Sequence, residues 1–539
     1  MVNGNKLIPV LFPGFLGGLG ALGHEPGKYA ITTNAITRFG RMVNGLAEVA
    51  DRTGIASGYR AIKSIKHNDV NILITQNGTN SIVYRQESGV WATKETVNNA
   101  LCTDLVSFHD GTNSILAVAY GASTAFRYST DDGTTWTAST LDGNSKYANY
   151  FVWQHNGQTA TRILWVRNPN EVYWATSLVN ATTVNTGSTI EDGSAQSYFT
   201  MLDEDDTGVL IIGKRHALWS MDAAGNIYRL TRNFNDSLST AGGQGDRRNF
   251  EAYAVLNNVF FFIVEGNKVV SYYHGQTNEF LAPRMQGEHI PRLDLPCNAI
   301  CSAGEWLILA IGSANTATNR SIVPAPGGSS LLQNTFVTTS EIYVGRPIIG
   351  EQGVEGVTWY GSELTCTDLL RYMWYDEDDG YLYLASGDSE STNNQQIRCY
   401  FFTSDPLYTV VSSNIQLNTA VAILESGIIG ADDPFAKYVP EFLKCITTGL
   451  ASTVPSLEVQ YRFVPEHDTS AFVSLDTYTS GQRALNGTHF PKTRSFQLGR
   501  VQFRLTGDAA STPDVFGVLH SAELFLSDFA NRRVPAGML

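Results

Sequence analysis

Carboxylates crowd two short stretches of the chain, Asp203-Glu-Asp-Asp206 and Asp376-Glu-Asp-Asp379. Several oxygens on one loop are what a hard cation such as Ca²⁺ requires, and Asp203-x-Asp205-x-Thr207-Gly208 has the spacing of an opening calcium loop. The bidentate glutamate expected six residues after the glycine is missing, and Lys214 stands there. The expectation is therefore two solvated loops on one face of the fold, which would give a channel a negative lining if grouped around one. A second pattern is Ser129-Thr-Asp131-Asp-Gly133-Thr-Thr-Trp136, with a looser copy at Ser220-Met-Asp222-Ala-Ala-Gly225. Here Ser and Asp can bond turn amides, Gly can take a positive φ and Trp can pack between strands, which is a structural use. The ten histidines form no HExxH and no close pair, and neither a nucleophile elbow nor a phosphate-cradling loop occurs. No catalytic, cofactor-binding or metal-ligating residue is assigned, and no cofactor is expected.

The elements that would position such loops are written as apolar runs. Ile72–Gln76, Ile115–Tyr120, Ile163–Arg167, Val209–Gly213, Phe260–Val264, Trp306–Ala310 and Tyr381–Ala385 recur with turns between them. The first six are spaced at roughly 43 to 50 residues, the length of a propeller blade. Short apolar runs bounded by turn residues suit strands buried on both faces, and these are expected to be the inner strands of the blades. Aromatic strands such as Ser81–Tyr84 and Glu171–Trp174 suit outer positions. The fold class expected is all-β: a β-propeller of six to eight blades (a rough count) with a C-terminal β-sandwich. The boundaries are an apolar, Gly-rich N-terminal arm at 1–29, a propeller at 30–439 with an insertion near 313–355, a sandwich at 440–527 and a tail at 528–539. Short helices are expected only near Thr367–Met373 and Pro434–Lys444.

Composition narrows the partners. The 539 residues carry a net charge of -14 with 16% charged and 11% aromatic residues. A protein that grips a nucleic-acid backbone needs clustered Lys and Arg, so tight DNA binding is disfavoured while passage of DNA is not. Six scattered cysteines suit reduced, buried thiols in a protein made in a reducing cytoplasm. The run Leu7–Gly23 is short for a membrane span and broken by Pro and Gly, which argues against stable membrane insertion and for an arm packed on a neighbouring subunit.

The Ser129–Trp136 pattern resembles the Asp-box of sialidase-like propellers, where it is structural. The Arg-Ile-Pro-like segment that announces the carboxylate-holding arginines of that family is missing, since Arg162-Ile-Leu164 has Leu in place of Pro. The alternative function, a carbohydrate-binding or sialidase-like propeller engaging a host-surface glycan, would use aromatics such as Trp91, Trp136 and Trp174. A wider resemblance lies in Gly208–Trp219, Asp222–Thr231, Asn257–Phe262, Arg500–Gly507 and Ser511–Val515. These stretches are similar to blades and closing sandwiches of tailed-bacteriophage virion proteins, with the tail nozzle of short-tailed phages the nearest architecture. The resemblance implies a non-enzymatic subunit of a homo-oligomeric ring, often sixfold. It also implies adaptor, fibre or tailspike partners, a channel that DNA traverses without specific binding, and a place in the virion tail after assembly in the host cytoplasm.

Overall fold

In the computed structural model, residues 7–13 and 29–528 are described except for internal segments. The longer of these are 155–161, 191–197, 235–248, 282–296, 313–321, 325–329, 333–339, 387–396, 403–420, 430–436, 465–470 and 508–516, with others of up to four residues. Seven four-stranded antiparallel sheets follow one another as blades. Their first strands are Arg60–His67, Asp104–His109, Tyr150–Gln154, Phe199–Glu204, Tyr253–Leu256, Cys297–Ala303 and Leu370–Asp376. These first strands approach one another around the axis, and that of blade 7 meets that of blade 1. The ring is closed by an early strand, because Glu48–Arg52 supplies the outermost position of blade 7 beside Ile397–Phe401.

The apolar runs are the second strands, not the innermost ones. Leu73, Ile74, Leu116, Trp165, Ile212, Phe261, Leu309 and Leu384 are among their fully buried side chains. Each second strand feeds two cores, one on each side. Leu73 packs toward blade 7 whereas Ile72 and Ile74 pack toward blade 2, and Phe261 and Phe262 divide in the same way between the flanking cores of blade 5. At about 1.5–3 kcal/mol for each large apolar side chain, this repeated burial is the main source of propeller stability. The innermost strands escape an apolar search because one of their faces meets the channel and carries Arg60, Lys63, Asp104 and Thr200.

The sandwich draws on both ends of the chain. One sheet has the order Leu7–Pro13, Val518–Asp528, Tyr438–Thr448, Thr488–His489; the other runs Tyr29–Thr33, Ala422–Ser426, Leu498–Thr506, Ser456–Val464, Val473–Tyr478. Their facing sides meet in one core containing Phe12, Leu424, Leu443, Leu457, Phe503 and Leu524. Residues 7–13 thus form a strand paired with residues of their own chain, from Leu7 opposite Ser527 to Pro13 opposite Ser521, which corrects the arm reserved for a neighbouring subunit. The sandwich also reaches back to residue 422. The insertion expected over 313–355 is narrower, since Ser340–Gly350 is the third strand of blade 6 and a small hairpin, Ile322–Pro324 with Ser330–Leu332, precedes it. Where helices were expected, Leu370–Asp376 and Tyr438–Thr448 are strands. The described α-helix is Gly481–Asn486, capped by the Ser480 side chain. Among the described residues no helix is long and apolar enough to cross a membrane.

Residues 32–46 clamp the two units together. Met42 and Leu519 exchange backbone hydrogen bonds of 2.9 and 3.0 Å, and Asn44 Nδ2 donates to the Leu505 carbonyl at 3.2 Å. On the propeller side, Thr37 Oγ1 donates to the Tyr360 carbonyl and Arg38 Nε to Glu363 Oε1, both at 2.8 Å. Gly361, at φ +89°, lets the backbone pass Thr32 so closely that a Cβ would lie 1.7 Å from its hydroxyl.

Candidate functional site

The channel axis holds a cavity of about 530 Å³ with contributions from all seven blades, within the range of small-molecule sites. Its charged wall starts at Lys63, whose ammonium lies 2.7 Å from Asp104 Oδ1. The Lys63 side chain keeps 28% of its exposure, and that exposure is to the cavity it lines. Burial works against the Lys63 charge, but the Asp104 carboxylate outweighs it and holds the pKa above the usual lysine value. Asp104 is fixed in turn, accepting from the Leu105 amide at 2.9 Å and, through its other oxygen, from the Phe151 amide of blade 3 at 2.9 Å.

Across the axis, Asp203 accepts from the Tyr253 hydroxyl at 2.9 Å. Burial pushes the Asp203 carboxyl above its ordinary range, and burial beside that carboxylate pushes the Tyr253 phenol well up. Tyr372 of blade 7 bridges both backbone groups of Ser64, accepting from the amide at 3.0 Å and donating to the carbonyl at 3.1 Å. Nearer the start of the inner strands lie Arg60 and Gln76, cross-strand neighbours in blade 1, and Thr200 of blade 4. Arg60 Nε, Gln76 Oε1 and Thr200 Oγ1 are buried with no hydrogen-bond partner among the described residues.

The acidic groups singled out in the sequence have other roles. Asp205 Oδ1 accepts from the amides of Thr207 and Val209 within its own turn, while Oδ2 accepts from Tyr272 of blade 5 at 3.1 Å. Asp206 pairs with His274 at 2.7 Å and Asn258 at 3.0 Å, again in blade 5. Asp376 accepts from Lys66 at 3.2 Å and Asn71 at 3.1 Å in blade 1; in blade 2 the corresponding turn, which the sequence had not marked, holds Asp110, which accepts from Ser177 of blade 3 at 2.5 Å. The turns between first and second strands therefore staple each of these blades to the next, and Asp205 and Asp376 are buried rather than solvated. Of Asp203–Asp206, Asp203 faces the groups of the channel. Asp379 lies outside the described residues. Among the described residues no group of three or more His, Cys, Asp or Glu is arranged to hold a metal ion.

Ser129–Trp136 closes as its residue types require. Asp131 accepts from Ser129 Oγ at 2.7 Å, the Thr135 amide at 2.9 Å and the Thr135 hydroxyl at 2.7 Å, and Trp136 Nε1 donates to the Gly133 carbonyl at 3.1 Å. Asp222 repeats the device by accepting from the amides of Ala224 and Asn226. Of the aromatics proposed for stacking on sugars, Trp91 is buried against Trp374. Trp136 and Trp174 pack against interblade cores, and Arg162 covers the Trp174 ring at 4.5 Å. All six cysteines are buried free thiols, and burial pushes Cys102 and Cys297 up to about 12.

Sequence reasoning missed one Ser–His–Asp grouping. His67 Nδ1 lies 2.7 Å from Ser107 Oγ, and Nε2 is shared between Ser114 Oγ at 3.2 Å and Asp132 Oδ1 at 3.4 Å. Burial lowers the His67 pKa against the pull of Asp132, which favours the neutral ring. Asp132 is also held by Asn68 at 2.8 Å, so the cluster ties blade 1 to blade 2. The axial cavity does not reach Ser107. Arg60, Lys63, Asp104, Thr200, Tyr253 and Tyr372 were also missed. The signal that finds them is position, since they stand on or beside the strand that precedes an apolar run.

No protein-family model and no curated protein matches the chain. Solved β-propellers do resemble it. Virginiamycin B lyase from Staphylococcus aureus is 14% identical, covering 66% of this chain and 98% of its own, with a TM-score of 0.41. The RRP9 WD40 repeats are 8% identical, covering 66% and 99%, with a TM-score of 0.44. YCF48 from Cyanidioschyzon merolae is 10% identical, covering 66% and 98%, with a TM-score of 0.39. At these identities the likeness concerns the fold alone.

Proposed function

We propose that the protein is a structural subunit of a phage tail, a nozzle or tail-tip component that assembles with copies of itself into a ring. The observation that supports this reading is the outward face of the first sandwich sheet. Leu11 there is 50% exposed and Ile446 48%, and between their strands Phe525 and Phe442 stack at 4.3 Å. The one charged pair among them, Lys444 with Glu523 at 2.6 Å, is internally satisfied. Among the described residues, Leu7–Pro13 is an edge strand without a single charge, interrupted by two prolines. An apolar face beside an open edge suits a surface covered by another subunit. Any DNA path would run between subunits rather than along a propeller axis. Lys63, Asp104, Asp203, Tyr253 and Tyr372 interact electrostatically across that axis, and a duplex, whose major groove alone is about 12 Å wide, has no room there.

Electron microscopy and mass photometry of the full chain test the reading. The expected result is a closed ring with an open centre that dissociates in Leu11→Glu/Ile446→Glu. A wild-type chain that stays monomeric at high concentration would overturn it.

A further inference from the structure

We propose that the axial cavity binds a small hydroxylated organic carboxylate, with Arg60 holding the carboxylate. The protein carries a net charge of -14, and almost every cation near the channel is already engaged. Lys63 is neutralised by Asp104, and Lys66 by Asp376 and Asp378. Arg60 makes no ion pair among the described residues, and its buried Nε has no acceptor. A buried, unused guanidinium donor costs free energy that an incoming acceptor recovers.

Arg60 selects the charged end of the ligand. The lining holds Arg60 and Lys63 against Asp104 and Glu251, so it is neutral before binding and tolerates one added negative charge, placed on Arg60, better than two. The other orphaned atoms specify the rest of the molecule. Gln76 Oε1 can only accept, and Thr200 Oγ1 can do either, so the ligand must present O–H or N–H donors as well as its carboxylate. Leu101, Met201 and Ile300 give the cavity apolar walls against which a carbon ring can lie. About 530 Å³ accommodates a ligand the size of one sugar acid.

The test is thermal-shift measurement followed by calorimetry on the full chain, with glucuronate, gluconate and quinate as probes and glucose and inorganic phosphate as controls. The expected result is saturable binding of at least one of the three carboxylates, with glucose and phosphate weaker. Arg60→Gln should then weaken that binding by about ten- to hundredfold, the usual effect of losing a charge-assisted hydrogen bond. Thr200→Val, nearly isosteric, should retain the fold and weaken binding by a smaller factor. The proposal is overturned if none of the three carboxylates binds, if glucose or phosphate binds as tightly, or if a folded Arg60→Gln protein binds as well as the wild type.

Discussion

Two of the cation–carboxylate pairs that the chain buries have different surroundings, and these make them different devices. At the clamp between propeller and sandwich, the Arg38 and Glu363 side chains are 1% and 0% exposed. The guanidinium is enclosed by Phe39 at 4.4 Å, Phe402 at 4.5 Å and Trp306 at 5.2 Å. Burial raises the Glu363 pKa against the pull of Arg38, and Oε2 accepts no hydrogen bond among the described residues. On the channel wall, Lys63 and Asp104 sit at a similar separation but face a cavity. A sealed pair fixes the relative position of two units and offers nothing to a ligand. A pair beside a cavity leaves neighbouring groups such as Arg60 accessible.

The largest effect is expected from breaking the sealed pair. Glu363→Ala leaves Arg38 charged without a partner in a dry site and should cost about 3–5 kcal/mol. Urea melts would read this as a lower midpoint. Lys63→Met, its counterpart on the channel, should cost much less, because Asp104 keeps its two backbone donors and gains access to cavity water. Equal losses at the two sites would remove the distinction between them.

A pH series sharpens the contrast between channel and rim. Asp203 has its folded pKa raised by burial, so the folded state holds that proton more tightly than the unfolded state. Its contribution to stability falls as pH rises from about 3.9 through the folded pKa, then levels off. Asp203→Asn removes that loss and should gain on the wild type between about pH 4 and neutrality. Asp376 has the opposite sign. Burial raises its pKa, but hydrogen bonds from Asn71 and Lys66 outweigh this and leave it lowered. Its contribution is present above about pH 3.9 and is lost as pH falls through the folded pKa. Asp376→Asn should therefore be most destabilising at neutral pH and converge on the wild type in acid. Parallel pH profiles for the two variants would contradict the assignment of one carboxylate to the channel and the other to a staple.

The propeller was legible because Val259–Val264 and its counterparts are buried on both faces, so their apolar runs survive without any knowledge of neighbours. The innermost strands were not legible. Arg60–His67 alternates toward a channel whose polarity exists only once seven blades are assembled, and in sequence it looks like a charged surface strand. Glu48–Arg52 contains no apolar run, yet it closes the ring some 350 residues before its partner Ile397–Phe401. Leu7–Pro13 was hidden for the same reason, because its pairing partner Val518–Asp528 stands at the other end of the chain. Leu370–Asp376 was mistaken for a helix because large side chains occupy both its faces, Leu370 and Met373 against blade 6 and Tyr372 and Trp374 against blade 1. The acidic groups were found but misplaced, since nothing local says that Tyr272 or Lys66 will arrive from the next blade.

The smallest effect separates local from assembled structure. Asp131 secures a turn through Thr135 and Ser129, all within seven residues, and its carboxyl is lowered because these donors outweigh burial. Asp131→Ala should cost about 1 kcal/mol in a urea melt, the value of ordinary turn hydrogen bonds. Ring assembly and carboxylate binding should be unchanged. Asp222→Ala, in the looser and more exposed copy, should cost less. Gly133 in the first copy sits at φ +77° with Ile72 Cδ1 2.8 Å from where a Cβ would lie, so this turn also abuts blade 1, while among the described residues the Asp222 carboxylate bonds within its own hairpin. If the Asp222 variant proved the more damaging, the turn chemistry rather than its docking on blade 1 would set the stability of these hairpins.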